Sequence, residues 1–442
     1  MKLSIVSLGC SKNLVDSEYL IGMLVNSNKF EITNLLEEAE VIIINTCGFI
    51  GDAKEESIQN ILEISEYKKS GNLKKLIVAG CLAQRYSDEI IKEMPEVDGV
   101  IGTGEIDKIL ELVDEIFQEK KVTKVEKLDF LGNSKTPRIL TTNPHTAYLK
   151  IAEGCNRRCT YCIIPQLRGE LRSRKIEDIV EEATLLAKAG VKEINLLAQE
   201  ITEYGLDLYL KKALPDLLRE LVKVEGIKWI RCYYMFPNSL TEEMIEVIKN
   251  EDKICNYFDV PIQHISSNIL KNMKRANSGE QIKEILKKIR KEIPDSTIRT
   301  TVIVGFPGET EEEFEELKEF IKEFNFNYVG IFKYSQEEDT VAYSLPNQVS
   351  EEIKEKRWVE LTNLQSTLVE MRNRSLIGTE LEVMIDSISD ESDYMLEGRT
   401  QGQALGIDGK VLTNDGTAQP GNIVKVLVEQ NFDYDFLGPI IK

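Results

Sequence analysis

The segment Glu153-Gly154-Cys155-Asn156-Arg157-Arg158-Cys159-Thr160-Tyr161-Cys162 sets three thiols at CxxxCxxC spacing just after a run, 147–151, that reads as a strand. No fourth cysteine is near. The three can hold three irons of a cubane and leave the fourth iron open. Saturated [4Fe-4S] clusters take four cysteinates and mostly move electrons, whereas a site short of one protein ligand keeps a position for chemistry, as open zinc sites do. A tight trio that follows a predicted strand is placed as it should be at the mouth of a barrel. A zinc knuckle completed by His145 or His264 is the alternative use of such a trio. Zinc sites usually pair two short ligand units across a longer loop, and here there is one unit.

Three further cysteines repeat the theme. Runs 2–8, 41–45, 76–79 and 97–101 read as strands, alternating with helices that begin near Asn13, Ala53, Gln84 and Ile106. That alternation predicts an open parallel α/β sheet. Leu8-Gly9-Cys10, Asn45-Thr46-Cys47 and Ala79-Gly80-Cys81 each put a cysteine just past a strand's C-terminal end, on the edge where such sheets bind ligands. Cys10, Cys47 and Cys81 thus form a second candidate three-thiol site.

The 442 residues exceed one ordinary core, so two or three domains are expected. Residues 1–120 form the first. A polar connector follows over 121–144, its composition shift beginning at Glu119. The next unit, 145–375, has predicted strands 147–152, 193–198, 229–235, 257–262, 297–304 and 329–334 with helices between them, which fits a partial (β/α)6 barrel whose site lies at the strand C-termini. A long helix leads to 376–442, where strands 381–388, 394–399 and 423–429 and the turn pairs Asp408-Gly409, Asp415-Gly416 and Pro420-Gly421 predict a small antiparallel β-barrel.

Charge narrows the partners. The whole chain carries −20, and the tail holds twelve acidic against four basic residues, a net of −8. A nucleic-acid reader normally shows a basic face, so a basic protein is the expected partner and nucleic-acid contact is not required. No apolar run approaches the roughly 18 residues of a membrane span, and Met1-Lys2-Leu3-Ser4-Ile5-Val6 reads into a strand rather than a signal peptide. A cytoplasmic protein away from membranes is expected, with its cysteines as ligands or core residues rather than disulfides.

CxxxCxxC is the radical S-adenosylmethionine (SAM) signature, and with two three-cysteine sites, an α/β domain before the barrel and a TRAM-like terminal β-module the whole chain resembles the methylthiotransferases. Ser7-Leu8-Gly9-Cys10-Ser11-Lys12-Asn13-Leu14-Val15-Asp16-Ser17-Glu18, Asn45-Thr46-Cys47-Gly48-Phe49-Ile50 and Ala198-Gln199-Glu200-Ile201-Thr202-Glu203-Tyr204-Gly205-Leu206-Asp207 are similar to the RimO-type branch, although Glu200 stands where that branch often has Asp. The resemblance implies two [4Fe-4S] clusters and SAM. Cys155, Cys159 and Cys162 would hold the catalytic cluster, which reduces SAM to a 5′-deoxyadenosyl radical. Cys10, Cys47 and Cys81 would hold an auxiliary cluster carrying the sulfur. It also implies a substrate, the β-carbon of an aspartate in the twelfth protein of the small ribosomal subunit, and an electron donor such as flavodoxin or ferredoxin. The alternatives are a tRNA adenosine methylthiotransferase and a non-catalytic Fe-S carrier or redox sensor.

The same resemblance sets Tyr161 near the adenine and Gln199 and Glu200 near the amino group of SAM. Arg299, a charge within an apolar strand, needs a carboxylate partner, for which the methionyl group of SAM is the candidate. Val304-Gly305-Phe306-Pro307-Gly308-Glu309-Thr310 reads equally as a turn with a helix start and as a SAM-proximal segment. His264 reads as structural or ribose-touching; His145, Cys232 and Cys255 read as structural.

Overall fold

The computed structural model describes residues 1–118, 121–390, 392 and 395–441. Six strands open the chain: β1 (Lys2–Ser7), β2 (Glu31–Ile32), β3 (Val41–Thr46), β4 (Lys75–Gly80), β5 (Gly99–Ile101) and β6 (Val122–Lys124). They form one parallel sheet in the order β2-β1-β3-β4-β5-β6. Every residue of β3, Val-Ile-Ile-Ile-Asn-Thr, is buried, as expected of a parallel strand covered on both faces. The edge strands β2 and β6 lie outside the four predicted runs. They are two and three residues long, too short to show a period, and β6 falls within the expected connector. The rest of that connector is strapped to the body. Phe130 packs edge-on against Tyr19, and Arg138 bonds Glu18 at 2.6 Å and Glu182 at 2.8 Å. Glu119 and Lys120, where the composition shift begins, lie outside the described residues.

After β7 (Thr146–Lys150), a short antiparallel pair, β8 (Ala152–Glu153) and β9 (Arg172–Ser173), brackets the CxxxCxxC loop. β10 (Glu193–Leu197), β11 (Trp229–Cys232), β12 (Tyr257–Asp259), β13 (Thr297–Val304) and β14 (Tyr328–Lys333) complete the six parallel strands of the partial barrel. They run as two triplets in chain order, joined by the bridge Ile230↔Ile254. The helices begin where the sequence carries caps. Ser278 with Gln281 and Thr310 with Glu313 each form a capping box, satisfying orphan N–H groups at the first turn.

The tail contains β15 (Glu380–Ile388), β16 (Leu396–Arg399), β17 (Val411–Thr413), β18 (Ile423–Leu427), β19 (Gln430–Phe432), β20 (Asp435–Leu437) and β21 (Ile440–Ile441). They make a curled, mostly antiparallel sheet with β19 and β21 at its edges and one parallel pair, β17 and β20. This curled half-barrel is the small, mostly antiparallel β-module that was expected. Tyr394, Glu391, Asp393 and Lys442, which entered the strand and charge expectations, lie outside the described residues.

This module packs on the starts of the barrel strands. Arg399 bonds Glu193 at 2.7 Å, Asp386 meets His145 Nε2 at 3.0 Å, Arg231 donates to the Gln401 carbonyl at 2.6 Å, and Tyr257 donates to Asp408 at 2.7 Å. Ala404 enters an apolar cluster with Tyr148, Tyr233 and Tyr257. The tail therefore closes the end of the barrel opposite the cysteines, and the side chains of two of its acidic residues, Asp386 and Asp408, are buried in that contact.

Glu193 is fully buried between Arg231 and Arg399. Burial pushes its carboxyl up, but the two guanidinium groups outweigh that and hold it down at about 2. With a depressed folded pKa, its stabilising contribution is complete above the ordinary carboxylate value and fades as pH falls toward about 2. Glu193→Gln should cost roughly 3–5 kcal/mol, since it leaves two buried cations short of a counter-charge. Urea unfolding of wild type and variant near neutral pH reads this directly. Among the described residues no helix is long and apolar enough to cross a membrane.

Candidate active site

The second cysteine set is built by three adjacent strands. β1, β3 and β4 are neighbours, and the chain leaves each at the same edge into Cys10, Cys47 and Cys81. Gly9, at φ +86°, is required there, because a Cβ on it would lie 2.9 Å from the Cβ of Cys47 and 3.3 Å from its sulfur. Asn13 sews the strand ends together, donating to the carbonyls of Leu8 at 3.1 Å and Thr46 at 2.9 Å. Asn45 donates back to the Asn13 carbonyl at 2.7 Å.

The CxxxCxxC loop leaves β8 through Gly154, also at positive φ, whose Cβ would strike the Glu170 carbonyl at 2.1 Å. The Cys155 N–H donates to the Gly169 carbonyl at 3.1 Å, and Cys162 N–H to that of Cys159 at 3.1 Å. These bonds fold the trio back on itself.

All eight cysteines are free, and the thiols of each trio oppose one another's ionisation. Burial, then Cys81 and Cys10, pushes Cys47 up to about 12. Burial likewise pushes Cys155 and Cys162 to about 12, with Cys159 raising both further. Such thiols ionise when a cation arrives, because metal charge inverts local pKa logic and coordination deprotonates the ligand. Both donor sets offer the thiol chemistry that an iron-sulfur cluster takes. Among the described residues no three His, Cys, Asp or Glu side chains converge on one ion; a cubane asks instead for one thiolate at each of three irons.

The zinc-knuckle reading finds no support, since among the described residues no histidine groups with the cysteines around one ion. His145 is bonded to Asp386 at the far end of the barrel. His264 is fully buried and accepts the Ser266 N–H at Nδ1 (3.0 Å), and burial lowers its pKa to about 3, so it is neutral.

The first domain and the barrel meet beside the two trios. Lys12 lies 3.3 Å above the Tyr234 ring just past β11. Asp16 bonds Lys150 at 2.5 Å and Arg168 at 2.5 Å, and Glu153 bonds Lys150 at 2.6 Å. Gln199 donates to Glu153, and its Oε1 is a buried acceptor with no partner, suited to an ammonium donor. Glu200 caps the turn Ile201–Glu203 by accepting from Thr202 N–H at 2.8 Å, and it meets Arg157 at 3.4 Å. Burial raises its carboxyl to about 7. Tyr161 is half-buried, set edge-on to Phe306 and accepting from Arg275 at 3.2 Å.

Arg299 does not join this group. It is the third of eight residues in β13, paired with Asp259 at 3.2 Å and with Asp408 of the tail at 3.5 Å. The five remaining residues of the strand separate it from the mouth by about 16 Å at 3.3 Å per residue. The carboxylates it needs are thus the protein's own, and the expectation that it meets the methionyl group is corrected. In the 304–310 segment Glu309 accepts the N–H of Gly305 at 2.6 Å and Phe306 at 3.2 Å and bonds Arg357 at 2.9 Å. It pins a turn that starts a helix. Cys232 and Cys255 are buried in the core. Sequence reasoning missed Asp16, Lys150, Glu153 and Arg168 as a unit. The available signal was Lys150 and Glu153, two charges at the end of a buried strand, where unpaired charge is not tolerated.

The fold and its loop define a class. Residues 149–321 match the Radical SAM superfamily, whose members use a [4Fe-4S] cluster and SAM, while 2–102 match the uncharacterised protein family UPF0004 and 377–441 the TRAM domain. The radical SAM methyltransferase TsrM from Kitasatospora setae shares the fold, with a TM-score of 0.55 at 15% identity over 75% of this chain and 72% of that one. Over its full length the chain is 49% identical to the ribosomal protein uS12 methylthiotransferase RimO of Clostridioides difficile, covering 99% of it. It is 48% identical to that of Lachnoclostridium phytofermentans, with 99% of each chain covered. The chain belongs to the RimO family of radical SAM methylthiotransferases.

Proposed function

We propose that this enzyme places a methylthio group on the β-carbon of an aspartate in uS12, with Cys155, Cys159 and Cys162 holding the catalytic [4Fe-4S] cluster and Cys10, Cys47 and Cys81 an auxiliary one. The observation that carries this reading is that the segment just after Cys162 packs on Cys81, through Ile163, Leu167 and Arg168, while Asp16 bonds Lys150 and Arg168 across the same contact. When bound, the two clusters and SAM supply one-electron reducing power, a carbon-centred radical, sulfur and a methyl group, which the protein's own side chains cannot. An unactivated C–H bond is too weakly acidic for the acid-base groups present.

The residues bind, orient and exclude. Gln199 offers its unpartnered Oε1 to the SAM amino group, and Glu200, held by Thr202, shapes the same end of the site. Tyr161, fixed by Arg275 and Phe306, offers a ring face to the adenine. The first domain covers the mouth through Lys12 and Asp16 and keeps stray hydrogen-atom donors from a radical they would quench. The electron comes from a low-potential carrier of the flavodoxin or ferredoxin type. The division 1–120, 121–144, 145–375 and 376–442 assigns one task to each folded unit, with the auxiliary site in the first and the catalytic site in the third.

The adenosine-modifying alternative finds no basic face among the described residues of the tail. Arg399 is consumed by Glu193 and Asp386, Lys410 meets Glu397, and Lys425 meets Glu380, while Glu382, Asp390, Asp415 and Glu429 are exposed. A basic ribosomal protein suits that surface. In a strain lacking the gene, mass spectrometry of uS12 should show the methylthio group gone, and the wild-type gene should restore it. Retention of the group, or its loss from tRNA alone, would refute the substrate.

A further inference from the structure

Arg168 ends the helix Ile164–Arg168 that starts two residues after Cys162, yet its side chain reaches the other cysteine set. One guanidinium nitrogen bonds Asp16 at 2.5 Å and Glu153 at 3.4 Å; the other donates to Asn13 Oδ1 at 2.6 Å and to the Cys81 sulfur at 3.5 Å. Arg168, Asp16, Lys150 and Glu153 are each no more than 5% exposed. Two cations and two carboxylates balance, so the guanidinium can stay buried and charged. It uses the carboxylates to hold its position and directs its remaining donor at sulfur.

We propose that Arg168 is a positioning residue for the auxiliary centre: anchored beside the catalytic loop, it fixes Cys81 relative to that loop and donates a charged hydrogen bond to its thiolate, raising the reduction potential of the cluster held there. Hydrogen bonds to cluster sulfurs and local charge are the protein's means of setting such potentials. A donor to sulfur stabilises the reduced, more negative state. The inference rests on the reading that Cys10, Cys47 and Cys81 hold a cluster.

The full-length chain with Cys155, Cys159 and Cys162 all changed to Ala isolates that cluster. In this background Arg168→Met should keep about four irons and shift the one-electron reduction equilibrium about tenfold toward the oxidised state, a fall of about 59 mV in a redox titration followed by electron paramagnetic resonance. Arg168→Lys should recover part of it. Asp16→Asn removes a counter-charge while leaving the donor to Cys81, so its midpoint should move upward. Where Arg168→Met loses its iron, Arg168→Lys and Asp16→Asn decide. An unmoved midpoint in the iron-bearing variants reduces Arg168 to a packing role and overturns the proposal. Failure of the three-cysteine variant itself to hold iron overturns the two-cluster reading instead.

Discussion

With Cys155, Cys159 and Cys162 all replaced by Ala, the anaerobically reconstituted protein should fall from about eight irons per chain to about four and lose reductive SAM cleavage altogether. Both losses follow from geometry. The trio lies on one loop held by backbone bonds to Gly169 and Cys159, His145 is bonded to Asp386, and among the described residues no histidine groups with the cysteines around one ion, so neither histidine offers a replacement ligand. The loop's anchors, Glu153 and Arg168, are untouched, so the chain should stay folded. Iron analysis with product chromatography for 5′-deoxyadenosine decides the matter. A variant that kept all its iron and still cleaved SAM would place the catalytic centre elsewhere.

Replacing Cys10, Cys47 and Cys81 should split the reaction. SAM cleavage should persist, because the catalytic loop hangs on β7 and β8 of the barrel, while methylthio transfer to uS12 should drop below detection for want of a sulfur carrier. The domain contact should survive: Arg168 loses the Cys81 sulfur but keeps Asp16, Glu153 and Asn13. Paired assays of 5′-deoxyadenosine and of modified uS12 on one preparation separate the outcomes. Loss of cleavage in a variant that still unfolds like wild type would show that the two sites act as one.

The tail bears on how a substrate reaches this mouth. Sequence charge made it the natural reader of a basic partner, yet it packs on the strand starts, at the far end of the barrel from both trios. Part of its acidity is spent there, with Asp386 on His145 and Arg399 and Asp408 on Tyr257 and Arg299. Any docking through its exposed carboxylates therefore acts at a distance from the chemistry and sets association rather than orientation at the mouth.

Much was legible in local order. The six thiols, the strand ends they follow and the alternation that makes a parallel sheet and a partial barrel are short-range patterns, since period, glycine and cap chemistry depend on neighbours a few residues apart. Asn13 and Glu153 stood inside the quoted strings, but nothing local tells what a side chain meets 30 or 150 residues away. Arg299 shows the limit. Its need for a carboxylate was readable from burial alone, whereas the identity of that carboxylate depended on which end of β13 it occupied and on the tail folding back beneath the barrel. The same holds for Arg168. The sequence by itself determined the chemistry, through which atoms can hold iron and where strands deliver them. Tertiary structure alone decided the pairing of buried charges, because Coulomb and desolvation energies depend on distance in space and not on separation along the chain.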